Sequence, residues 1–237
     1  RAAEPPIVIL TQDPQTSGPL ADQLEAGGSN VVRWPLVRIR SVPDDVIGPT
    51  LAGIAEFDGV ILPSPSAVLR VADQMTRLGL RWSPALKAGL IGPASVEAFR
   101  AAFGSDPMVV CPDLAPFDGE ALVRRLAQRG GIAGSRWLVL NRPDGRIHWV
   151  EALRAAGAEV ITVAAYTAEP ISTPPPGLAS TLAAAREQGR PLHWVVGAAS
   201  QIATLAGWLA GLDAALAVWS RACLLHVPHP ALRAAAQ

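Results

Sequence analysis

Cysteine, lysine and tyrosine are scarce in this sequence, and neither sign of charge prevails: there are two cysteines, one tyrosine and a single lysine, Lys87, with a formal net charge of zero. Cys111 and Cys223 are too few and too isolated for a disulfide framework or a zinc cluster, and they read as small buried residues of a reducing compartment. A neutral chain has no basic field to recruit nucleic acid or an anionic membrane, so any anionic partner must be met by local donors. Those donors would be helix-start backbone N–H groups, favoured because helix starts recur in both lobes, or arginines, whose planar fork binds carboxylates and phosphates through paired hydrogen bonds, although an arginine- and alanine-rich composition is also what a GC-rich genome produces. G-x-G-x-x-G, P-loop and G-x-S-x-G motifs are missing, as is any metal-spaced Cys/His set, which removes the commonest enzyme readings. Residues 1–6 lack the apolar core of a signal peptide, and a cytoplasmic protein is expected. Residues 191–212 carry no formal charge and are long enough to span a bilayer, but they contain His193, Ser200, Gln201 and several glycines, so they are read as a buried strand plus helix.

What is present is organised around residues 58–69. Val60, Ile61 and Leu62 form an unbroken apolar run, as expected of a parallel strand covered on both faces, and Val68, Val71, Ala72 and Met75 follow with helical spacing. Strand must hand over to helix within residues 63–66, with Ser64 as N-cap and Pro65 as first helical residue. The helix then begins with free N–H groups and a positive dipole end, which suits an anionic ligand.

The pattern recurs. Residues 194–202 align with residues 60–68, placing Ser200 on Ser66 and Ile202 on Val68. Leu24, Gly28 and Val31 match Leu153, Gly157 and Val160, with Pro14 on Pro143. Residues 90–102 and 224–236 form a third, looser pair. Three matches in one order argue for a duplicated α/β unit, and two copies make a two-lobed protein and not a solenoid.

In chain order, strands are expected at 7–10 and from 31, with a helix at 17–26 between them. Residues 34–42 alternate apolar and polar apart from Leu36 and Val37, residues 163–170 are their extended, half-exposed counterpart in the second repeat, and both suit connectors between lobes. A helix is expected at 43–57 with Leu51, Ile54 and Ala55 inward. Residues 90–91 read as a strand, 92–95 as a turn, and 96–102 as a helix capped by Ser95. Residues 109–110 and 137–140 are further strands around a helix at 118–129. The proline-rich stretch 172–177 is a loop. A helix at 178–188, a strand at 193–196, a helix at 200–211, a strand at 223–226 and a terminal helix from Pro230 complete the plan.

The carboxyl ends of these strands, where ligands sit in open α/β sheets, collect Thr11, Gln12, Ser64, Ser66, Ser95, Asn141, Arg142, Arg146, Ser200 and His229. Small hydrogen-bonding groups with two arginines suit the gripping of polar anionic groups better than covalent catalysis. His226 and His229 have no third ligand nearby and read as turn residues and not as a metal site; His193 at a strand head and His148 on a helix read as structural. Tyr166, the sole tyrosine, either packs as a spacer on a connector or turns its hydroxyl towards a ligand, and the residues leave both open.

Across nearly its whole length the chain resembles the uroporphyrinogen-III synthase family. The resemblance is carried by Ile9-Leu10-Thr11, Trp34-Pro35-Leu36, Phe57-Asp58-Gly59-Val60-Ile61 leading to Ser64-Pro65-Ser66-Ala67-Val68, and Gly92-Pro93-Ala94-Ser95. Later come Glu120-Ala121-Leu122, Leu138-Val139-Leu140 with Arg142 and Gly145-Arg146, Ala152-Leu153-Arg154-Ala155-Ala156-Gly157 up to Tyr166, and Val227-Pro228-His229-Pro230. Departures stand at Gln12, where the family has arginine, at Pro63, and at Gly197-Ala198-Ala199, which lacks the hydroxyls of the first copy. The resemblance implies two small parallel-sheet α/β lobes joined by a two-stranded ladder: residues 1–33 with 172–237, residues 43–161, and connectors 34–42 and 162–171. It implies cofactor-free cyclisation of hydroxymethylbilane to uroporphyrinogen III by a cytoplasmic monomer, with no nucleic-acid or membrane partner. Tyr166 would be the proton donor, and Thr11, Ser64, Ser66, Ser95, Arg142, Arg146, Ser200 and His229 would hold the substrate. The departures leave a second expectation, a two-lobed binder of small anions or tetrapyrroles without turnover.

Overall fold

Short unbroken apolar runs can be satisfied only when both faces of a sheet are covered, and that requirement shapes the molecule. The computed structural model describes residues 4–105, 108–145 and 148–227. The chain opens with β1 (Ile7–Leu10), α1 (Pro14–Ala26), β2 (Asn30–Arg33) and β3 (Val37–Ser41). It continues through α2 (Asp44–Ala52), β4 (Gly59–Leu62), α3 (Pro65–Arg77), β5 (Lys87–Leu90), α4 (Pro93–Phe103), β6 (Val109–Val110), α5 (Gly119–Arg129), β7 (Arg136–Asn141), α6 (Val150–Ala155) and β8 (Glu159–Ala164). The last elements are β9 (Tyr166–Pro170), α7 (Leu178–Glu187), β10 (Leu192–Val195), α8 (Ala199–Ala210), α9 (Ala214–Arg221) and β11 (Leu224–His226).

Two compact units result, 1–38 with 168–237, and 39–167. The first holds a parallel sheet in the order β11-β10-β1-β2, the second a parallel sheet in the order β6-β5-β4-β7-β8, and β3 pairs with β9 in a two-stranded antiparallel ladder. In the second unit, alternate residues of each strand enter opposite cores: Val60, Leu62, Leu138 and Leu140 meet Leu51, Val68, Val71 and Phe99, while Ile61, Trp137 and Val139 meet Leu122, Leu126 and Leu153. Each such fully buried aliphatic side chain contributes about 1.5–3 kcal/mol. In the first unit Ile7 and Ile9 pack with Leu182, Trp194 and Trp208, and Val8 and Leu10 lie under Ala21 of α1.

The duplication is visible as pairing register. Ile9 sits opposite Trp194 and Val32 in one sheet, and Leu138 sits opposite Val60 and Ile161 in the other, which are the partners that the first two sequence matches demand. The third match, 90–102 with 224–236, lies mostly outside the described residues; where it can be followed, Leu225 sits opposite Trp194 as Ala88 sits opposite Val60, three residues away from the register that set Leu90 on Leu224.

Other expectations need correction. The helix expected over 43–57 ends at Ala52 and resumes as a 3-10 turn, Ile54–Glu56, so Ile47, Leu51 and Ile54 face inward and Ala55 is exposed. The helix expected from 96 starts at Pro93 with Gly92 as N-cap, because a proline needs no N–H partner at the first helical position. Ser95 therefore lies inside the first turn and caps nothing. His148 lies in a turn before α6, paired with Glu120, and not on a helix. Helix α9, capped by Asp213 whose carboxylate accepts from Leu216 N at 3.0 Å, was not anticipated. The terminal helix expected from Pro230 lies outside the described residues. Residues 191–212 form β10 and α8, and among the described residues no helix is long and apolar enough to cross a membrane.

Candidate active site

Because all strands of the two parallel sheets run one way within their sheet, one edge of each gathers the strand ends and the starts of the following helices. In unit 39–167 this edge carries Ser64 after β4, Gly92 to Ser95 after β5, Asn141 and Arg142 after β7, and Tyr166 after β8.

Ser64 is the N-cap of α3, with extended backbone, and its Oγ accepts a hydrogen bond from Ala67 N at 3.1 Å. The same Oγ lies 3.0 Å from the Tyr166 hydroxyl, 102 residues away in sequence. Tyr166 is held by its neighbours: Ala165 N donates to Asn141 O at 2.7 Å, and Val42 N donates to Ala165 O at 3.2 Å. The ring is 5% exposed. Burial pushes its hydroxyl above the usual phenol range; the Ser64 hydrogen bond and the Arg142 charge pull against this and Asp144 adds to it, leaving a net upward shift. The side chain therefore stays a neutral phenol at neutral pH, carrying its proton, and burial makes it a weaker acid than a free phenol unless a partner stabilises the phenolate.

Arg142 opens a turn closed by Gly145 N donating to Arg142 O at 3.1 Å, and its Nε lies 3.2 Å from Asp144 Oδ1. Gly145 is required there by close approach: a Cβ would fall 2.2 Å from Asn141 Nδ2. The helix starts offer fewer donors than their number suggests. Pro65 and Pro93 have no N–H, Ala67 N is taken by Ser64 Oγ, and Ser95 N and Val96 N both donate to Gly92 O at 3.0 and 3.1 Å. The N–H groups of Ser66 and Ala94 have no hydrogen bond within the described residues. Ser66 is half-buried at the second position of α3, and Ser95 is 3% exposed.

In the other unit, Thr11 is fully buried and its Oγ1 donates to Val195 O at 2.7 Å, sewing β1 to β10. Ser200 is exposed at the second position of α8, whose N-cap, Ala198, has no side-chain oxygen to offer. Gln201 compensates: its Oε1 accepts from Gly197 N at 2.7 Å and its Nε2 donates to Thr11 O at 3.4 Å. Sequence reasoning missed Gln201 and Asp144. A glutamine three residues past a cap position is the signal that pointed to the first; for Asp144 there was none. Arg146 and His229 lie outside the described residues. Among the described residues no three His, Cys, Asp or Glu side chains come together as a cation would require.

Parallel sheets with neutral hydrogen-bonding groups at their carboxyl edges define a two-unit α/β protein suited to a small polar ligand. The family model described as Uroporphyrinogen-III synthase HemD matches residues 18–237, and the chain belongs to that family. Uroporphyrinogen-III synthase of Synechococcus elongatus is 30% identical over 170 residues, 69% of this chain and 62% of that protein, so the matched part spans under two thirds of that relative. Uroporphyrinogen-III synthetase of Helicobacter pylori 26695 shares the fold with a TM-score of 0.52, 12% identity, and coverage of 97% of this chain and 96% of that one. A mutant uroporphyrinogen III synthase of Thermus thermophilus gives 0.51, 16%, 93% and 83%.

Proposed function

We propose that the chain is a cyclising hydro-lyase that converts hydroxymethylbilane to uroporphyrinogen III, inverting the last pyrrole ring, without a cofactor, as a cytoplasmic monomer. Family membership supports the substrate class, and the observation that carries the chemistry is the buried, neutral Tyr166 hydroxyl beside Ser64 and Arg142. The linear tetrapyrrole loses its hydroxyl as water, the resulting cation bonds to the substituted carbon of the last ring, and the spiro intermediate reopens inverted. Tyr166 gives the departing hydroxyl its proton; a general acid of this kind contributes about 10²–10⁴-fold. The remaining task is to hold one geometry against spontaneous closure to the other isomer.

Carboxylate groups of the substrate are met by Arg142 and Arg146, by the open N–H groups of Ser66 and Ala94, and by the hydroxyls of Ser66 and Ser200, with His229 also in the binding set, while Ser64 faces Tyr166. Thr11 acts from inside, its hydroxyl tying β1 to β10, and Ser95 is buried in the first turn of α4. Enzymatically generated hydroxymethylbilane added to the protein is expected to give isomer III; isomer I alone would sink the proposal.

A further inference from the structure

Ser64 Oγ sits between two partners, and each constrains its proton. It accepts from Ala67 N at 3.1 Å and lies 3.0 Å from the Tyr166 oxygen, where the distance alone allows either hydroxyl to donate. The amide hydrogen bond occupies one of its lone pairs and polarises its O–H bond, which strengthens it as a donor. Tyr166 O is the acceptor within reach. We infer that Ser64 is a positioning residue: it donates its hydroxyl proton to the Tyr166 oxygen, so that the phenol's own proton is directed at the substrate hydroxyl and the phenolate left after transfer is held by a hydrogen bond.

This deepens the proposed function and rests on it. The step balances within the site. The C–O bond of the hydroxymethyl group breaks, its oxygen takes the Tyr166 proton and leaves as water, and the electron pair of that O–H bond stays on the phenolate. When the inverted ring regains aromaticity its carbon loses a proton, and the phenolate takes it back, so the protein ends as it began. Three features favour the transient phenolate: the Ser64 donor, the positive end of α3 at which Ser64 is the N-cap, and the Arg142 guanidinium; Asp144, paired with Arg142, opposes it. The charged groups that bear on the phenol are thus Arg142 and Asp144, both on the turn after β7.

The sole tyrosine makes the test direct, because phenolate absorbance in the near ultraviolet reports Tyr166 and no other phenol. In Ser64→Ala the titration midpoint of Tyr166 is expected to rise by about one pH unit, because the phenolate has lost a donor. In steady-state assays kcat should fall about tenfold with KM unchanged, and Ser64→Thr, which keeps both cap and donor, should restore both readouts. Should alanine loosen the start of α3, Ser64→Gly serves instead, since glycine is tolerated at the cap position. A midpoint that stays in place or falls in these variants, or a threonine that fails to restore it, overturns the inference. If the intact chain yields isomer I alone, it is the proposed function that falls, while the titration still decides whether Ser64 donates to Tyr166.

Discussion

At the scale of single residues, hydroxyls and imidazoles matter because their partners decide which way a proton points. His193 and His226 show this within the unit 1–38 with 168–237: Nδ1 of the first lies 2.8 Å from Nε2 of the second, with ring centroids 5.1 Å apart, so the rings meet through an N–H···N bond. Burial, and then the neighbouring His226, hold His193 below the usual imidazole range. Because the folded pKa is the lower one, the unfolded chain binds more protons as pH falls. Stability is therefore complete above about pH 6.5 and declines below it, through the folded pKa. Denaturant midpoints recorded against pH should show this decline, and His193→Gln should flatten it; an equally steep decline in the variant would exclude the pair as its source. The same scale explains what could be read from sequence. Ser64 as cap and Pro65 as first helical residue were legible because capping chemistry is settled within four residues. The orientation of Tyr166 was not, because its partner lies 102 residues away.

At the scale of elements, buried strands and the hand-over to helices were legible wherever apolar runs met proline or serine. Where two cap signals competed, the wrong one was followed: Gly92-Pro93 and Ser95 both mark a helix start, and a proline at the first position outweighs a serine two residues later. The pairing register was predictable for the two matches that keep strand and turn together. The strands of unit 39–167 also depend on close approach. Gly59 lies under the Trp137 ring, and an added Cβ would come 2.3 Å from Cζ3 of the indole. Trp137 is 1% exposed and cannot move aside cheaply. Gly59→Ala is expected to cost roughly 1–3 kcal/mol, the range for overpacking a dense core, measured as a lowered denaturant midpoint at unchanged slope. A midpoint within experimental error of the parent would show that the indole has room to shift.

At the scale of the whole molecule, a neutral chain would have to hold the proposed substrate, which is rich in carboxylates, with whatever it places at its sheet edges. Sequence reasoning set helix-start amides against arginine side chains and favoured the amides. The prolines at Pro65 and Pro93 reduce the amide count, yet Arg142 already spends part of its charge on Asp144. Arg142→Ala is expected to weaken substrate binding by less than about fivefold, in keeping with the ~0–1 kcal/mol of a solvent-accessible ion pair. A loss beyond about 30-fold, or ~2 kcal/mol, would mean that the arginines carry the carboxylates. The two-unit α/β architecture itself was legible through duplication and family resemblance together.

Tyr166 is central to the proposed chemistry as the group that protonates the departing hydroxyl. The most direct test of that role is the steady-state conversion of hydroxymethylbilane by Tyr166→Phe, with isomers I and III separated. Removal of the hydroxyl alone is expected to lower kcat by about 10²-fold or more with little change in KM, so that spontaneous closure overtakes the enzyme and isomer I accumulates. A variant that keeps the parent's kcat and still yields isomer III would contradict that role.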